Sequence, residues 1–211
     1  MKGEFGWMRW FGGGLELEAG AGRMLRLPEV SAAAAVFAEI ERSRAHLRAW
    51  MPWLDRTRTA RDTRRFLEAN AAAYRKGGGF SFAVLEGDRF AGMVGFHGFD
   101  AANRVTSLGY WLGQAFCGRG LMTAAARAAV RYAFEQRRMN RVVVRCATGN
   151  TSSRRVPERL GFVHEGTHRE AEWLYDHFVD LEVYAMLRRE WAGDRAQGVD
   201  GGTAGMHSGC K

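Results

Sequence analysis

The stretch Leu108-Gly-Tyr-Trp-Leu-Gly-Gln-Ala-Phe-Cys-Gly-Arg-Gly-Leu-Met-Thr123 decides how the rest of the chain is interpreted. It opens with an apolar run, Leu108 to Leu112, that predicts a buried strand. A turn with Gly118 and Gly120 follows, and the run rich in Ala and Arg from Ala124 to Arg137 predicts a helix. A glycine turn before a helix suits an anion, because the first-turn N–H groups lack intrahelical partners. A single Gly-x-Gly is equally typical of an ordinary strand-to-helix connection.

Length and composition indicate one globular domain with appendages. The 211 residues are 46% hydrophobic and 12% aromatic, which is enough to bury a full core. No apolar run approaches a membrane span, and the segment from Met1 to Gly22 lacks the unbroken apolar core of a secretory signal. The three cysteines, Cys117, Cys146 and Cys210, contain no Cys-x-x-Cys pair. We therefore expect a cytoplasmic protein without a disulfide framework, a structural zinc site or a membrane association.

The charge of the chain is strongly basic. The formal net charge is +8, and it comes mainly from Arg, since Lys occurs only at Lys2, Lys76 and Lys211. Such a balance suits an anionic ligand or an RNA-rich neighbour such as the ribosome. It is equally compatible with a solvated surface, because the Arg residues are dispersed and form no block of like charge. We expect no direct nucleic-acid binding.

Hydrophobic periodicity predicts the order β-α-α-β-β-β-α-β-α-β-β, an α/β fold with a mixed sheet and helices on its faces. Before the central stretch come a strand from Arg23, a helix from a cap at Ser31 to about Arg48, a helix from Ala60 to Lys76, and strands at Phe80–Leu85, Phe90–Phe99 and Arg104–Leu112. After it come a strand at Arg141–Ala147, a short helix ending at Leu160, extended chain at Phe162–His168, a turn region at Arg169–Asp176 and a strand at His177–Arg188. Residues 1–20 are expected to be a loosely ordered extension, 21–192 the domain and 193–211 a disordered tail.

A dense aromatic segment, Trp50-Met-Pro-Trp53-Leu, surrounds a helix-breaking proline. One interpretation is core filling or a cover over a helix. The other is one wall of an acceptor-substrate pocket, because ligand pockets favour aromatic linings. The sequence leaves both interpretations open.

From about Arg23 to Trp191 the chain resembles the GCN5-related N-acetyltransferases, and within them the RimL-type ribosomal-protein N-terminal acetyltransferases. The residues that carry the resemblance are Gly109-Tyr-Trp-Leu112, Gly118-Arg-Gly120-Leu-Met-Thr123, Tyr132-Ala-Phe134 followed by Asn140-Arg141-Val142, Asn150-x-x-Ser153, Pro157-Glu-Arg-Leu-Gly-Phe162, and Glu165-Gly166 with Arg169. The resemblance implies a mostly antiparallel central sheet with flanking helices, acetyl-CoA as co-substrate and a homodimer.

The resemblance also implies which residues bind acetyl-CoA. The cofactor would lie between two strands that separate, one of them carrying Tyr110, Trp111 and Leu112, so that unpaired backbone N–H groups face the pantetheine. The pyrophosphate would rest on the loop and first helical turn, formed by Cys117, Gly118, Arg119, Gly120, Leu121, Met122 and Thr123, and Asn150 is a further cofactor residue. No metal is implied, and His164 and His168 lie in an extended segment where their spacing gives no shared helical face.

The catalytic residues implied by the resemblance are Glu172 and Ser153. Glu172 would accept the proton of the amine, with Glu165 as the alternative carboxylate, and Ser153 would donate to the departing thiolate. The alternative for Ser153 is that, with Asn150, it only caps a helix. Pro157 removes the helical bond to the Ser153 carbonyl, which could leave the first turn distorted and Ser153 free to face the cofactor. Cys117 has no histidine identifiably paired with it in the sequence and is expected to fill space in the loop.

The acceptor amine is open at this stage. The resemblance implies a protein α-amine, that of a ribosomal protein, whose pKa near ~8 makes it easier to deprotonate than a lysine. A small amine such as an aminoglycoside, a polyamine or an amino-acid derivative is the alternative of the same fold. From another class come a non-catalytic CoA-binding module and an RNA-associated protein that uses its Arg surface.

Overall fold

A single mixed sheet of eight strands forms the centre of the molecule. The computed structural model describes residues 14–20 and 22–193. The strands are β1 (Glu16–Glu18), β2 (Arg23–Arg26), β3 (Ser81–Glu86), β4 (Arg89–Asp100), β5 (Val105–Leu112), β6 (Arg141–Ala147), β7 (Val163–Leu174) and β8 (His177–Leu187). Their spatial order is β1-β2-β3-β4-β5-β6-β8-β7, and of the described pairs β5 with β6 is the parallel one.

Helices cover both faces of this sheet. They are α1 (Ala33–Arg42), α2 (Arg44–Arg48), α3 (Ala60–Arg75), α4 (Leu121–Glu135) and α5 (Thr151–Leu160), with single 3-10 turns at Val30–Ala32, Leu54–Arg56, Gln114–Phe116 and Arg188–Glu190. Helices α4 and α5 pack on one face, and α1 to α3 pack on the other face over β2, β3 and β4. No helix in the described part of the chain is long and apolar enough to cross a bilayer.

Helix α4 lies close to the sheet because its buried stripe is made of small residues. Ala125, Ala129 and Ala133 follow a spacing of four and are all fully buried. The large side chains of Phe82 on β3 and Phe134 on α4 itself belong to the same core cluster, at 0% and 1% exposure. This packing fixes the start of α4 relative to the end of β5, and the glycine turn at residues 118–120 lies between them.

The predicted order of elements and the fold class are confirmed, with one strand added at the beginning. Residues 16–18, expected to belong to a loose extension, form β1 and pair with β2 in the register Leu17↔Leu25. The expectation was wrong there because a three-residue strand shows too little alternation, yet Leu17 packs into the core at 8% exposure. Residues 1–13 and 194–211, where the rest of the extension and nearly all of the tail were expected, lie outside the described residues.

The helix predicted from Ser31 to Arg48 is divided in two. Ser31 does not cap it, because its hydroxyl donates to Glu29 and a 3-10 turn precedes the start of α1 at Ala33. The break falls at Ser43, whose backbone leaves the helical region at φ −109° and ψ 11°. The Ser43 hydroxyl accepts a hydrogen bond from Gln114, 71 residues later in the chain. The break thus coincides with a tertiary contact, which helix propensity alone does not predict.

The turn region predicted at Arg169–Asp176 is mostly strand. Strand β7 continues to Leu174 and pairs Glu172 with Val179, and the turn is confined to Tyr175 and Asp176. A register shift between His168 and Glu172, with Glu170 at φ 48°, breaks the alternation on which the prediction depended. As a result Glu172 is held in a paired strand.

Candidate active site

Strands β5 and β6 separate halfway along their length. Their parallel pairing ends at Leu108 and Val144 within the described residues, whereas β5 stays paired to β4 as far as Leu112 and β6 stays paired to β8 as far as Ala147. A cavity of about 860 Å³, which we call the central cavity, enters the opening and is lined by residues of both strands, Tyr110 and Cys146 among them. The predicted opening beside Tyr110, Trp111 and Leu112 is therefore present, and backbone groups on its edges are available to a ligand.

The glycine turn between β5 and α4 has the geometry of an anion loop. Gly118 and Gly120 adopt φ +79° and +71°, a region that other residues rarely enter, and Gly120 is the N-cap of α4. The first-turn N–H groups therefore point out of the helix end. The side chains of Leu121 and Met122 are buried at 1% and 6% exposure, so these two residues can offer a ligand only their backbone.

A polar chain from α1 holds the segment that leads into this loop. Ser43 Oγ donates to Glu39 Oε1 at 3.1 Å and accepts the backbone N–H of Gln114 at 3.0 Å. Glu39 is 4% exposed, and a Cβ added to Gly113 would overlap its carboxylate. The loop is thus positioned by a buried carboxylate and a hydroxyl that lie about 70 residues earlier in the chain.

Cys117 does have a histidine neighbour, contrary to the expectation from sequence. Its Sγ lies 3.6 Å from His46 Nε2 of α2. Burial raises the pKa of the Cys117 thiol, so the neutral thiol is favoured. The contact joins residues 71 positions apart, which explains why the sequence did not reveal it.

Arg119 is engaged within the protein. Its Nη2 lies 3.0 Å from Glu86 Oε2 and donates to the Ala115 carbonyl at 3.1 Å, while its own carbonyl accepts a bond from Arg23. These contacts brace the turn against β3 and β2. A contact between this guanidinium and a bound phosphate would therefore compete with Glu86.

Asn150 and Ser153 are brought together with Tyr110 and Cys146 at one end of the opening. Asn150 Oδ1 accepts the Ser153 N–H at 3.1 Å, so Asn150 is the cap of α5, while the Ser153 hydroxyl points elsewhere and donates to Cys146 Sγ at 3.3 Å. The Tyr110 hydroxyl donates to the Ser153 carbonyl at 2.9 Å. Desolvation raises the pKa of Tyr110 well above its ordinary range, so the phenol stays protonated as a donor.

Pro157 explains why that carbonyl is available. It lies inside α5 four residues after Ser153 and has no N–H to bond the Ser153 carbonyl. The strand residue Tyr110 supplies the missing donor. The sequence indicated the freed carbonyl but not the phenol that bonds it.

The two candidate carboxylates have opposite environments. Glu172 is half-buried in the wall of the central cavity, and burial raises its pKa, with no cation among the described residues acting against it. Glu165 lies on an exposed part of β7 and forms a two-armed ion pair with Arg141. The hydrogen bonds from Arg141 lower the pKa of Glu165. Glu172 therefore has the higher proton affinity and the access to the cavity.

The aromatic segment at residues 50–53 lies along the central cavity, opposite the sheet. Trp50, Met51, Pro52 and Trp53 all line it, and the ring of Trp53 lies 6.1 Å from that of Trp111 on β5. The Tyr175 hydroxyl of the β7–β8 turn donates to the Met51 carbonyl at 2.6 Å. This bond closes the wall, so the segment contributes to the cavity as well as to packing.

His97 and Arg145 also line the central cavity, and sequence reasoning missed both. His97 lies on β4, and burial of its ring lowers its pKa, with a second contribution from the charge of Arg145. Neither residue belongs to a motif, and the cavity they share is formed by strands that are distant in sequence. No group of three or more His, Cys, Asp or Glu side chains able to hold a metal is found in residues 14–20 and 22–193.

Residues 23–163 match the family model of the acetyltransferase (GNAT) domain. The match covers more than half of the chain, and the chain therefore belongs to this family. The expected resemblance to the GCN5-related N-acetyltransferases is confirmed.

Two relatives have names that refer to ribosomal proteins. "Putative ribosomal N-acetyltransferase YdaF" of Bacillus subtilis (strain 168) is 40% identical over 117 residues, which are 56% of this chain and 64% of the relative. The ribosomal-protein-serine acetyltransferase of Escherichia coli (strain K12) is 27% identical over 135 residues, 64% of this chain and 75% of the relative. The chain thus spans less than two thirds of the first relative's length and three quarters of the second's.

A solved structure of RimL, a ribosomal L7/L12 α-N-protein acetyltransferase in complex with coenzyme A, superposes with a TM-score of 0.79. It is 23% identical, and the superposition covers 82% of this chain and 98% of that one. At this level of identity the likeness supports the fold alone.

Proposed function

We propose that this protein transfers the acetyl group of acetyl-CoA to a primary amine in a ternary complex, and that the amine is the N-terminal α-amine of a protein, a ribosomal protein in particular. The observation that carries the proposal is the central cavity. It enters the opening between β5 and β6 and has the half-buried carboxylate of Glu172 in its wall, while the glycine turn at residues 118–120 follows the end of β5 outside the lining of the cavity.

Acetyl-CoA would occupy the opening with its pantetheine along β5. The free backbone groups of Tyr110, Trp111 and Leu112 would bond the pantetheine and polarise the thioester carbonyl. The pyrophosphate would rest on the N–H groups from Cys117 to Thr123, because these lie at the positive end of α4. Asn150 contributes by fixing the first turn of α5, since its amide oxygen already accepts the Ser153 N–H.

The reaction requires a neutral amine, and Glu172 is the group that would accept the proton of the amine, directly or through one water. A carboxylate whose pKa is raised by burial is a stronger base than an exposed one, which favours it over Glu165. The amine nitrogen then bonds the carbonyl carbon, the carbon–sulfur bond breaks, and the thiolate takes up a proton. Ser153 Oγ, which donates to Cys146 Sγ here, would turn its hydroxyl to the thiolate.

The choice of acceptor is supported by two observations. The relatives described above are named for ribosomal N-acetylation and for a ribosomal-protein serine. The central cavity is also larger than a small amine would need, which favours a polypeptide acceptor. Its wall extends from Phe66 on α3 to Leu181 on β8.

We also propose that the protein acts in the cytoplasm as a homodimer. The dimer is supported by an exposed aromatic pair on the β7–β8 hairpin, Trp173 and Phe178, whose rings lie 4.8 Å apart and which are 51% and 56% exposed. Light scattering of the purified protein tests the assembly, and a monomer at all concentrations would refute the dimer.

Three measurements test the function in sequence. Acetyl-CoA should raise the melting temperature, and thiol release should occur with peptides that carry a free N-terminus. Mass spectrometry of ribosomal proteins treated with enzyme and labelled acetyl-CoA should find the label at an N-terminus. Stabilisation without thiol release from any amine would instead indicate a CoA-binding module, and release with small amines alone would refute the protein acceptor.

A further inference from the structure

A second cavity adjoins the central one on the same face of the sheet. This side cavity has a volume of about 400 Å³ and is lined by β6 residues Arg141, Val143 and Arg145 and by residues 165–168 of β7. Arg145 lines both cavities. The two cavities therefore share Arg145, and their linings together extend from Glu172 on β7 to Val105 on β5.

The guanidinium of Arg145 is available to a ligand. It has no hydrogen bond or ion pair with any residue from 14 to 20 or from 22 to 193, and its residue is exposed. Arg141, four residues earlier on the same face of β6, is instead neutralised by Glu165. His97 beside it has a lowered pKa, so the ring is neutral near neutral pH and the positive charge at the junction belongs to Arg145.

The pairing registers give the distance between this charge and the proposed base. Arg145 is opposite Val183 of β8 and Glu172 is opposite Val179, so they lie four residues apart along the strands and two strands apart. With ~3.4 Å per residue and ~4.8 Å between strands, their Cα atoms are about 17 Å apart. An extended polypeptide covers that distance in about five residues, and because both side chains reach into the cavity the span shortens to about three to five.

We infer that Arg145 binds a carboxylate side chain of the acceptor polypeptide, at the third to fifth residue counted from the reacting amine, and that the side cavity holds the chain beyond it. The inference rests on the proposed function, since it assumes a protein acceptor with its amine at Glu172. A planar guanidinium forms paired, charge-assisted hydrogen bonds with a carboxylate, which gives the position chemical selectivity.

A position scan with synthetic peptides tests the subsite. Decapeptides that begin with Ser or Ala and are otherwise neutral would carry one Asp at each position from the second to the seventh, with Asn at the same position as reference. For the wild-type enzyme, kcat/KM from thiol release should favour Asp over Asn by about 10- to 100-fold at one or more of the third to fifth positions, the size expected for a hydrogen bond to a charged group. The seventh position should show no preference.

Variants assign the preference to this side chain. Arg145→Met should abolish the difference in kcat/KM between the Asp and Asn peptides, and Arg145→Glu should replace it with a preference for Lys at the same positions. Arg145→Lys should keep part of it. The matched control is Arg159→Glu, an exposed α5 residue that lines neither cavity and brings the same change of charge.

The outcomes distinguish a failure of the subsite from a failure of the proposed function. Turnover of the peptides with no Asp preference in the wild type, or an unchanged profile in Arg145→Glu, would overturn the subsite and leave the acetyltransferase intact. Stabilisation by acetyl-CoA without turnover of any peptide would overturn the protein acceptor, and the subsite with it. An altered profile in Arg159→Glu would show that net charge, and not Arg145, sets the preference.

Discussion

Replacing Glu172 by Gln removes the proposed proton acceptor while keeping the size of a half-buried side chain. We expect kcat to fall by about 10²- to 10⁴-fold, the usual contribution of a general base. Binding of acetyl-CoA should not change, because the anion loop and the open edge of β5 do not depend on this residue. Steady-state thiol release with a saturating peptide measures kcat, and calorimetry measures the affinity for acetyl-CoA.

The pH dependence sharpens this prediction. Burial raises the pKa of Glu172, and only its ionised form accepts a proton. The wild-type kcat should therefore fall as the pH drops through a pKa above ~4.3, the ordinary value for Glu, and the variant should lack this acidic limb. A raised pKa in the folded state also means that ionised Glu172 destabilises the fold above that pKa, so Glu172→Gln should melt at an equal or higher temperature at neutral pH.

Glu165→Gln is the matched control on the same strand. It breaks the exposed pair with Arg141, for which we expect a loss of about 0.2–1 kcal/mol in the free energy of unfolding. Its kcat and acidic limb should remain those of the wild type. Full activity in Glu172→Gln, or loss of the acidic limb in Glu165→Gln, would refute the assignment of the base.

Three further substitutions test the cofactor side. Ser153→Ala should lower kcat about 10-fold or more, with a smaller loss as the pH nears the thiol pKa of ~8.5, and an unchanged pH–kcat profile would exclude it as the donor. Ser43→Ala removes the acceptor of the Gln114 N–H, and the loss of this hydrogen bond, ~1–2 kcal/mol, should raise KM for acetyl-CoA by about 5- to 30-fold. KM for acetyl-pantetheine, which lacks the pyrophosphate, should stay constant. An equal rise in both KM values would show that Ser43 acts through general stability. Gly113→Ala, whose Cβ would overlap the Glu39 carboxylate, should lose about 1–3 kcal/mol in denaturant unfolding, whereas Gly98→Ala, which meets open space, should not; equal losses would contradict the packing argument.

Periodicity predicted most of the fold because the elements are long or strongly patterned. Strand β6 was predicted with its observed bounds, Arg141–Ala147, since a short β-branched run beside a turn is unambiguous. The prediction ended strand β7 too early, because the irregularity between His168 and Glu172 interrupts the alternation of apolar and polar residues. Local pattern thus predicts an element until its backbone departs from regular geometry.

The candidate site was predictable only where its groups follow one another in the chain. The glycine turn, the start of α4 and the Asn150–Ser153 pair lie within continuous segments, so the resemblance located them. The bond from Gln114 to Ser43 and the meeting of His97 with Arg145 depend on how distant segments pack. Such contacts have no local signal in one sequence.

The bond between Tyr110 and the Ser153 carbonyl makes the opening between β5 and β6 sensitive to Pro157, a residue that does not line it. Any amino acid other than proline at position 157 would bring a backbone N–H that competes with the Tyr110 phenol for the same carbonyl oxygen. Helix α5 would then become more regular while its attachment to β5 weakened. Proline, which usually disfavours a helix, thus decides whether the Ser153 carbonyl bonds to its own helix or to β5. Replacing Pro157 to make α5 more regular would therefore be the wrong way to stabilise this protein.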